Sequence, residues 1–136
     1  MNTQEAILVP LCIADTTVDA INEMYDEITQ RAYEIFLARG GVGTLDLEDW
    51  LKAEQQLLFK PDARIEQTDH GITVTIRIGQ VNLADLQVLI TPDAMVIHAE
   101  DPSTDKTVFR SVEFPKRIDV NKAGAVYRSG CLVFTA

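Results

Sequence analysis

The chain has 136 residues, of which 12 are lysine or arginine and 21 are aspartate or glutamate, so its formal net charge at pH 7 is −9. This balance opposes binding to nucleic acid or to an anionic membrane, because both surfaces attract proteins through positive charge. The length fits one domain with a sizeable core or two small pieces. We therefore expect protein partners, with no nucleic acid and no membrane.

The N-terminal region and the two cysteines indicate in which cellular compartment the protein lies. The apolar run over residues 6–14 is interrupted by Pro10 and follows no lysine or arginine, so it resembles neither a secretory signal nor a membrane span. Cys12 and Cys131 lie far apart, without the Cys/His spacing of a zinc site. We expect a cytoplasmic protein with reduced, buried thiols, no metal and no cofactor.

A first amphipathic helix is predicted over residues 17–39. Residues 15–17 can cap its start, and Gly40 and Gly41 end it, because glycine accepts the left-handed conformation common after a helix. One face would be apolar, because apolar residues recur every three or four positions. These residues are Val18, Ile21, Met24, Ile28, Ala32, Ile35 and Phe36.

A second helix is predicted from Asp46 to Pro61. Asp46 is a plausible N-cap, and Asp49 completes a weak variant of the capping box. The mainly apolar stripe comprises Leu47, Trp50, Leu51, Glu54, Leu57 and Leu58. Residues 17–60 therefore predict a helical hairpin, with Trp50 as its packing anchor, that buries its seam internally or against a neighbouring domain.

After Pro61 the apolar period changes from about 3.6 to about 2, which predicts a boundary near residues 60–64. Alternating runs then follow, separated by turn residues, and no helical pattern intervenes. They are Ile72, Val74, Ile76 and Ile78, then Leu86, Val88 and Ile90, then residues 95–99, 107–114 and two strands around Ser129 and Gly130. We predict an α+β chain: an extended segment (1–16), the helical hairpin, and an antiparallel immunoglobulin-like β-sandwich (64–136).

Three segments of the β-rich part resemble the α-crystallin domain of small heat-shock proteins. The pattern Ala125-x-x-x-Ser129-Gly130-x-Leu132 resembles the close of that domain, where a turn and a Gly-x-Leu signature join the last two strands. Leu86-Gln-Val-Leu-Ile-Thr-Pro-Asp-Ala-Met-Val-Ile-His-Ala-Glu100 resembles its central hairpin. Arg110-Ser-Val-Glu-Phe-Pro115 resembles the segment that follows, although Val112 stands where an aromatic residue is usual.

This resemblance implies an ATP-independent chaperone that holds partly unfolded clients in an apolar groove. The groove residues it implies are Leu86, Val88, Ile90 and Val126. Alternate residues on such strands also form ordinary core, so that alternative stays open. Arg110 corresponds to an arginine that forms ion pairs at a subunit interface in the family, and Gly130 and Leu132 are expected to be structural.

Two departures from the family pattern bear on assembly. Only residues 101–106 connect two strands where bacterial members usually carry a long loop with a swapped strand, and no tail with Ile-x-Ile or Ile-x-Val spacing follows residue 136. We therefore expect a monomer or small homo-oligomer. Ile7 and Val9 have the spacing of the missing tail, so we hypothesise that they fill the groove; the alternative is that residues 6–14 pack on the helices.

Residues 30–58 resemble a second family, a short bacterial helical module of unknown function. The resemblance rests on Arg31-Ala-Tyr-Glu, a glycine-rich turn, and Asp46-Leu-Glu-Asp-Trp-Leu-Lys-Ala-Glu54. This resemblance bears on the domain organisation of the chain and implies no activity.

No catalytic residue is predicted. His70 and His98 are the only histidines, and no nucleophile motif accompanies them. The chain is therefore expected to be a binding protein and not an enzyme. The alternative to a general holdase is a co-chaperone-like docking module of the p23 type, which recognises one partner.

Overall fold

The structure is a computed structural model that describes residues 6–41, 43, 47–101 and 104–136. Within these residues it contains two α-helices, one short 3-10 helix (Val120–Lys122) and two sheets whose strands are mostly antiparallel, which confirms the predicted α+β class. In chain order the elements are β1 (Ile7–Val9), β2 (Cys12–Ile13), α1 (Val18–Ala38), α2 (Leu47–Leu57), β3 (Leu58–Phe59), β4 (Ala63–Thr68), β5 (Gly71–Arg77), β6 (Gln87–Ile90), β7 (Ala94–Asp101), β8 (Lys106–Glu113), β9 (Gly124–Arg128) and β10 (Cys131–Thr135).

The strands form two five-stranded sheets that share one apolar core. Sheet A has the order β1-β9-β10-β5-β4, and sheet B has the order β2-β6-β7-β8-β3. Two short pairs, β2 with β6 and β3 with β8, are parallel. The inward residues of both sheets belong to one cluster, in which the rings of Phe114 and Phe134 stack with centroids 5.4 Å apart.

The strand-turn-strand predicted at the C-terminal end is confirmed. Arg128 pairs with Cys131, so only Ser129 and Gly130 connect β9 to β10. Both connecting residues have positive φ, 51° and 82°, as a two-residue hairpin turn with the twist of its strands requires. Leu132, in the following strand, is fully buried in the shared core.

Gly130→Ala tests this turn. A Cβ at Gly130 meets only ordinary contacts, the nearest being the Gly79 Cα at 3.6 Å, so the expected cost comes from the positive φ. We expect the free energy of unfolding to fall by about 1 kcal/mol, measured by chemical denaturation. Gly124→Ala is the control, because a Cβ there meets nothing within 4 Å and no positive φ is involved. Equal costs at the two positions would contradict this account.

α1 follows its predicted boundaries closely, whereas α2 ends at Leu57, short of the predicted Pro61, because Leu58–Phe59 forms β3 and pairs with β8. Before α1, the Val18 N–H donates to the Thr16 hydroxyl at 3.1 Å, and after it Gly40 and Gly41 adopt positive φ. The helix therefore begins and ends where the sequence predicted. The predicted N-cap of α2, Asp46, lies outside the described residues.

Both helices cover the outer face of sheet B. Their apolar residues form a second cluster with Val96 and Phe109, which project from that face. Ala32 and Ala53 are fully buried in it, and Trp50 contacts Tyr25 edge to face with ring centroids 5.9 Å apart. The helical segment thus buries apolar residues against sheet B as well as between its own two helices.

The division of the chain at residues 1–16, 17–60 and 64–136 stays a prediction. β3 falls inside the second segment, yet it follows α2 directly and pairs with β8 of sheet B. The helical segment and the β-rich segment are therefore joined by a strand pair as well as by the helix cluster.

The structure corrects one prediction about the cysteines. Cys12 and Cys131 are both free, but Cys12 is exposed and Cys131 is partly buried. Cys12 is exposed because it lies on β2, a strand at one edge of sheet B. Among the helices of the described chain, none has the length and apolarity needed to cross a membrane.

Candidate functional site: the groove between two sheet edges

The candidate site is the space between the edges of β6 and β9, here called the edge groove. These strands are the last long members of their sheets on one side of the molecule, followed only by β2 and β1. Because Pro10 and Leu11 alone separate β1 from β2, the two edges lie close together. Sheet edges bind further strands through backbone hydrogen bonds.

Residues 7–14 of the same chain occupy the edge groove, and we call them the strap. β1 pairs antiparallel with β9, and β2 pairs parallel with β6. The partners are Ile7 with Tyr127, Leu8 with Val126, Val9 with Ala125, Cys12 with Leu89, and Ile13 with Ile90. Beyond β2 the Ala14 N–H donates to the Ile90 carbonyl at 2.9 Å. One extended segment therefore uses both edges.

Two side chains of the strap at alternate positions, Val9 and Leu11, enter the core, whereas Ile13 is 55% exposed. Val9 is only 8% exposed and belongs to the shared core, and Leu11 packs against that core. Leu8 is 82% exposed and Ile7 is 48% exposed. The groove thus accepts an extended chain whose alternate apolar side chains enter it. Whether Ile7 and Val9 replace a tail stays a prediction.

The predicted groove residues divide into two sets. Leu86, Val88 and Ile90 lie together in the shared core beneath the strap and are 7%, 1% and 0% exposed. The structure places Val126 on the opposite face of sheet A, paired with the outward Leu8. The reason is the alternation of β9, in which the neighbours of Val126 point into the core.

Ala125 and Tyr127 take the place in the groove that was predicted for Val126. Both are buried in the shared core and pair with Val9 and Ile7 of the strap. The Tyr127 hydroxyl donates to the Gly79 carbonyl at 2.7 Å, which fixes its ring. An aromatic residue on a strand is a signal for the buried face, and it could have identified this orientation.

Arg110 and Trp50 lie away from the edge groove. Arg110 is on β8, which is separated from β6 by β7, and the partly buried side chain projects on the same face as Val108 and Val112. Its Nε is buried and makes no hydrogen bond within the described part of the chain. Trp50 contacts α1. The interface role of Arg110 stays a prediction.

The two histidines lie apart from one another. His70 is exposed at the turn between β4 and β5, and His98 is partly buried on β7, paired with Phe109. In the ranges that the structure describes, no three His, Cys, Asp or Glu side chains are close enough to hold a metal ion.

Comparison with known proteins adds limited information. The family model described as a protein of unknown function (DUF2934) matches residues 23–58, which include most of α1 and all of α2. No curated protein matches the chain. The match covers well under half of the chain, so it does not assign the whole chain to that family.

Two solved structures of hsp14.1 from Sulfolobus solfatataricus P2 are similar to the chain. For an alanine-to-aspartate mutant the identity is 12%, the TM-score 0.49, and the similarity covers 76% of this chain and 96% of that one. For a deletion mutant the identity is 14%, the TM-score 0.49, and the coverage 76% and 93%. At these values the similarity assigns no function.

Proposed function

We propose that this chain is an ATP-independent chaperone of the small heat-shock type, a holdase that binds extended segments of partly unfolded proteins in the edge groove. In this proposal the two facing sheets are an immunoglobulin-like sandwich of the α-crystallin type, preceded by a helical hairpin. One observation carries it: the strap, an extended apolar segment, pairs with β9 on one side and with β6 on the other.

A client segment would bind for the same physical reasons as the strap. Backbone pairing is independent of sequence, so it suits clients of many kinds. Alternate apolar side chains would enter at the positions of Val9 and Leu11, above Ile90, Ala125 and Tyr127. Their removal from water contributes roughly 25 cal/mol per Å². No nucleotide or metal is needed for binding of this kind.

The proposal also covers the cellular location, the assembly and the partners of the protein. We propose a cytoplasmic, stress-related role, a monomer or small homo-oligomer, and protein clients as the only partners. Arg110 is proposed as a residue of a subunit interface, where an acceptor from the second copy would satisfy its buried Nε.

Suppression of heat-induced aggregation tests the proposal. Two unrelated client proteins are heated with the chain at near-stoichiometric ratios, light scattering is followed, and the oligomer mass is measured on the same sample. We expect both clients to be protected, because edge pairing does not depend on the client sequence. An unrelated acidic protein of similar size is the control. Absence of protection for both clients would contradict the holdase proposal.

A second candidate function is a dedicated docking module of the p23 type. It is favoured by burial: Leu86, Val88 and Ile90 are covered in the described structure, and the helices cover the outer face of sheet B. With these apolar residues already covered, the chain suits one specific partner better than many clients. A folded monomer or dimer that protects neither client would support this candidate.

A further inference from the structure

A second cleft adjoins the edge groove beside the strap, between α1 and the face of sheet B that the helices cover, and Leu86 and Val88 of the edge groove also line it. It has a volume of about 390 Å³, and we call it the strap cleft. Leu89 and Val96 line it from sheet B, Pro10 and Leu11 from the strap, and Ala20 from α1. A cleft of this size, mostly apolar and lined by three different elements, has the character of a binding site.

The strap cleft stays open because of the residue that α1 presents to it. Further along α1, Met24 and Ile28 join the cluster that covers Val96 and Phe109. At Ala20 the helix carries only a methyl group, so the space above Leu89 is not filled. Leu89 remains partly exposed as a result, although it belongs to an otherwise covered face.

The strap cleft continues into an acidic one. A smaller adjoining cleft of about 120 Å³ shares Ala20, Val96 and His98 with it and adds Glu23 and Glu27. These glutamates are exposed and lie one helical turn apart on α1. In the described part of the chain, neither carboxylate has a lysine or arginine ion-pair partner. Apolar contact and negative charge are thus available side by side.

We propose that the strap cleft binds a segment of a partner protein that carries a bulky apolar residue and, about three positions later, a lysine or arginine. The apolar side chain would enter above Leu89, and the cation would lie beside Glu27, one helical turn beyond Glu23. The spacing follows from α1: Ala20 and Glu27 are about 10 Å apart along the axis at 1.5 Å per residue, which is about three residues of extended chain. The cleft shares the strap with the edge groove, but no residue of β9 lines it.

A peptide titration followed by NMR tests the proposed ligand chemistry. The probe is a short glycine-serine peptide that carries one phenylalanine and, three positions later, one arginine. We expect amide shifts at Glu23, Leu89 and Val96, and affinity that falls as salt rises. Replacing the arginine by glutamate should weaken binding at least tenfold, and replacing the phenylalanine by serine should abolish it. Equal binding of the glutamate peptide would overturn the proposal.

Variants of the protein test the position of the site. Ala20→Leu fills the cleft and should abolish binding, and the pair Glu23→Gln and Glu27→Gln should weaken it about fivefold to tenfold at low salt. The pair Asp26→Asn and Asp69→Asn, exposed and outside both clefts, removes the same charge and should leave affinity unchanged. Shifts confined to β1 and β9 would place the peptide in the edge groove and overturn the proposal, whatever the aggregation assay gives.

Discussion

Val9→Asp is expected to release the strap and open the edge groove, whereas Leu8→Asp is expected to do neither. The two positions are adjacent in β1, but Val9 is 8% exposed in the shared core and Leu8 is 82% exposed. A carboxylate cannot stay charged in the core without a partner, so the segment should leave the groove. At Leu8 the same carboxylate stays in water. The pair therefore separates an effect of burial from an effect of charge.

The size of the Val9→Asp effect follows from how much the strap contributes to the free energy of unfolding. Burying a valine side chain stabilises by about 1.5–3 kcal/mol, and ordering a few residues of short strand offsets part of that. We expect Val9→Asp to lower the free energy of unfolding by about 2 kcal/mol. If strap and client compete for the edge groove, the free energy of binding an extended apolar peptide should become more favourable by about the same amount. The affinity should then rise roughly thirtyfold.

The probe for this experiment is the strap itself. A labelled peptide with the sequence of residues 6–14, with serine in place of Cys12, is titrated into both variants and followed by fluorescence anisotropy. Tight binding by the Val9→Asp variant and weak binding by the Leu8→Asp variant would support an exchangeable strap. Lost stability without peptide binding would show instead that the strap is a fixed part of the core.

The elements predicted best from the sequence are those with strong local signals. α1 was identified by its apolar period and the glycines that follow it, and both are properties of neighbouring residues. β9 and β10 were identified by alternation around Ser129 and Gly130, a pair suited to positive φ. Signals of this kind need no knowledge of the tertiary structure.

The features that the sequence did not predict depend on distant partners. β1 and β2 have three and two residues, too few to show any period. The spacing of Ile7 and Val9 led to the hypothesis that this segment fills a groove, but which strands it pairs with depends on where the edges of β9 and β6 lie. The sequence of β7 does indicate that the outer face of sheet B is covered. β7 reads Met95-Val-Ile97 without alternation, which is typical of a strand buried on both faces.

Asp49 shows a second limit of local reasoning. In the sequence it reads as a weak helix cap, but in the structure it is 2% exposed and accepts two hydrogen bonds from Arg39. The distances are 3.0 Å from Nε and 2.8 Å from Nη2. Arg39 also lies over the Phe36 ring at 5.0 Å. The pair joins the end of α1 to the start of α2, and no short sequence pattern indicates it.

Arg39→Ala is expected to destabilise the protein more than Asp49→Ala does. Without the guanidinium, the Asp49 carboxylate keeps its burial and loses its bidentate ion pair, a change that costs about 3 kcal/mol. Without the carboxylate, the Arg39 side chain, 38% exposed, can be hydrated, so we expect a loss of about 1–2 kcal/mol. Chemical denaturation of both single variants and the double variant measures the costs and the coupling between the residues.

Lys52→Ala is the matched control for the ion-pair experiment. Lys52 pairs with Glu48 on the same helix at 3.3 Å, and their side chains are 54% and 74% exposed, so its loss should cost less than about 0.5 kcal/mol. The double variant should cost less than the sum of the single variants, because it removes the buried charge together with its partner. If Asp49→Ala instead costs more than Arg39→Ala, the carboxylate stabilises the start of α2 mainly as a cap, and the ion pair contributes little.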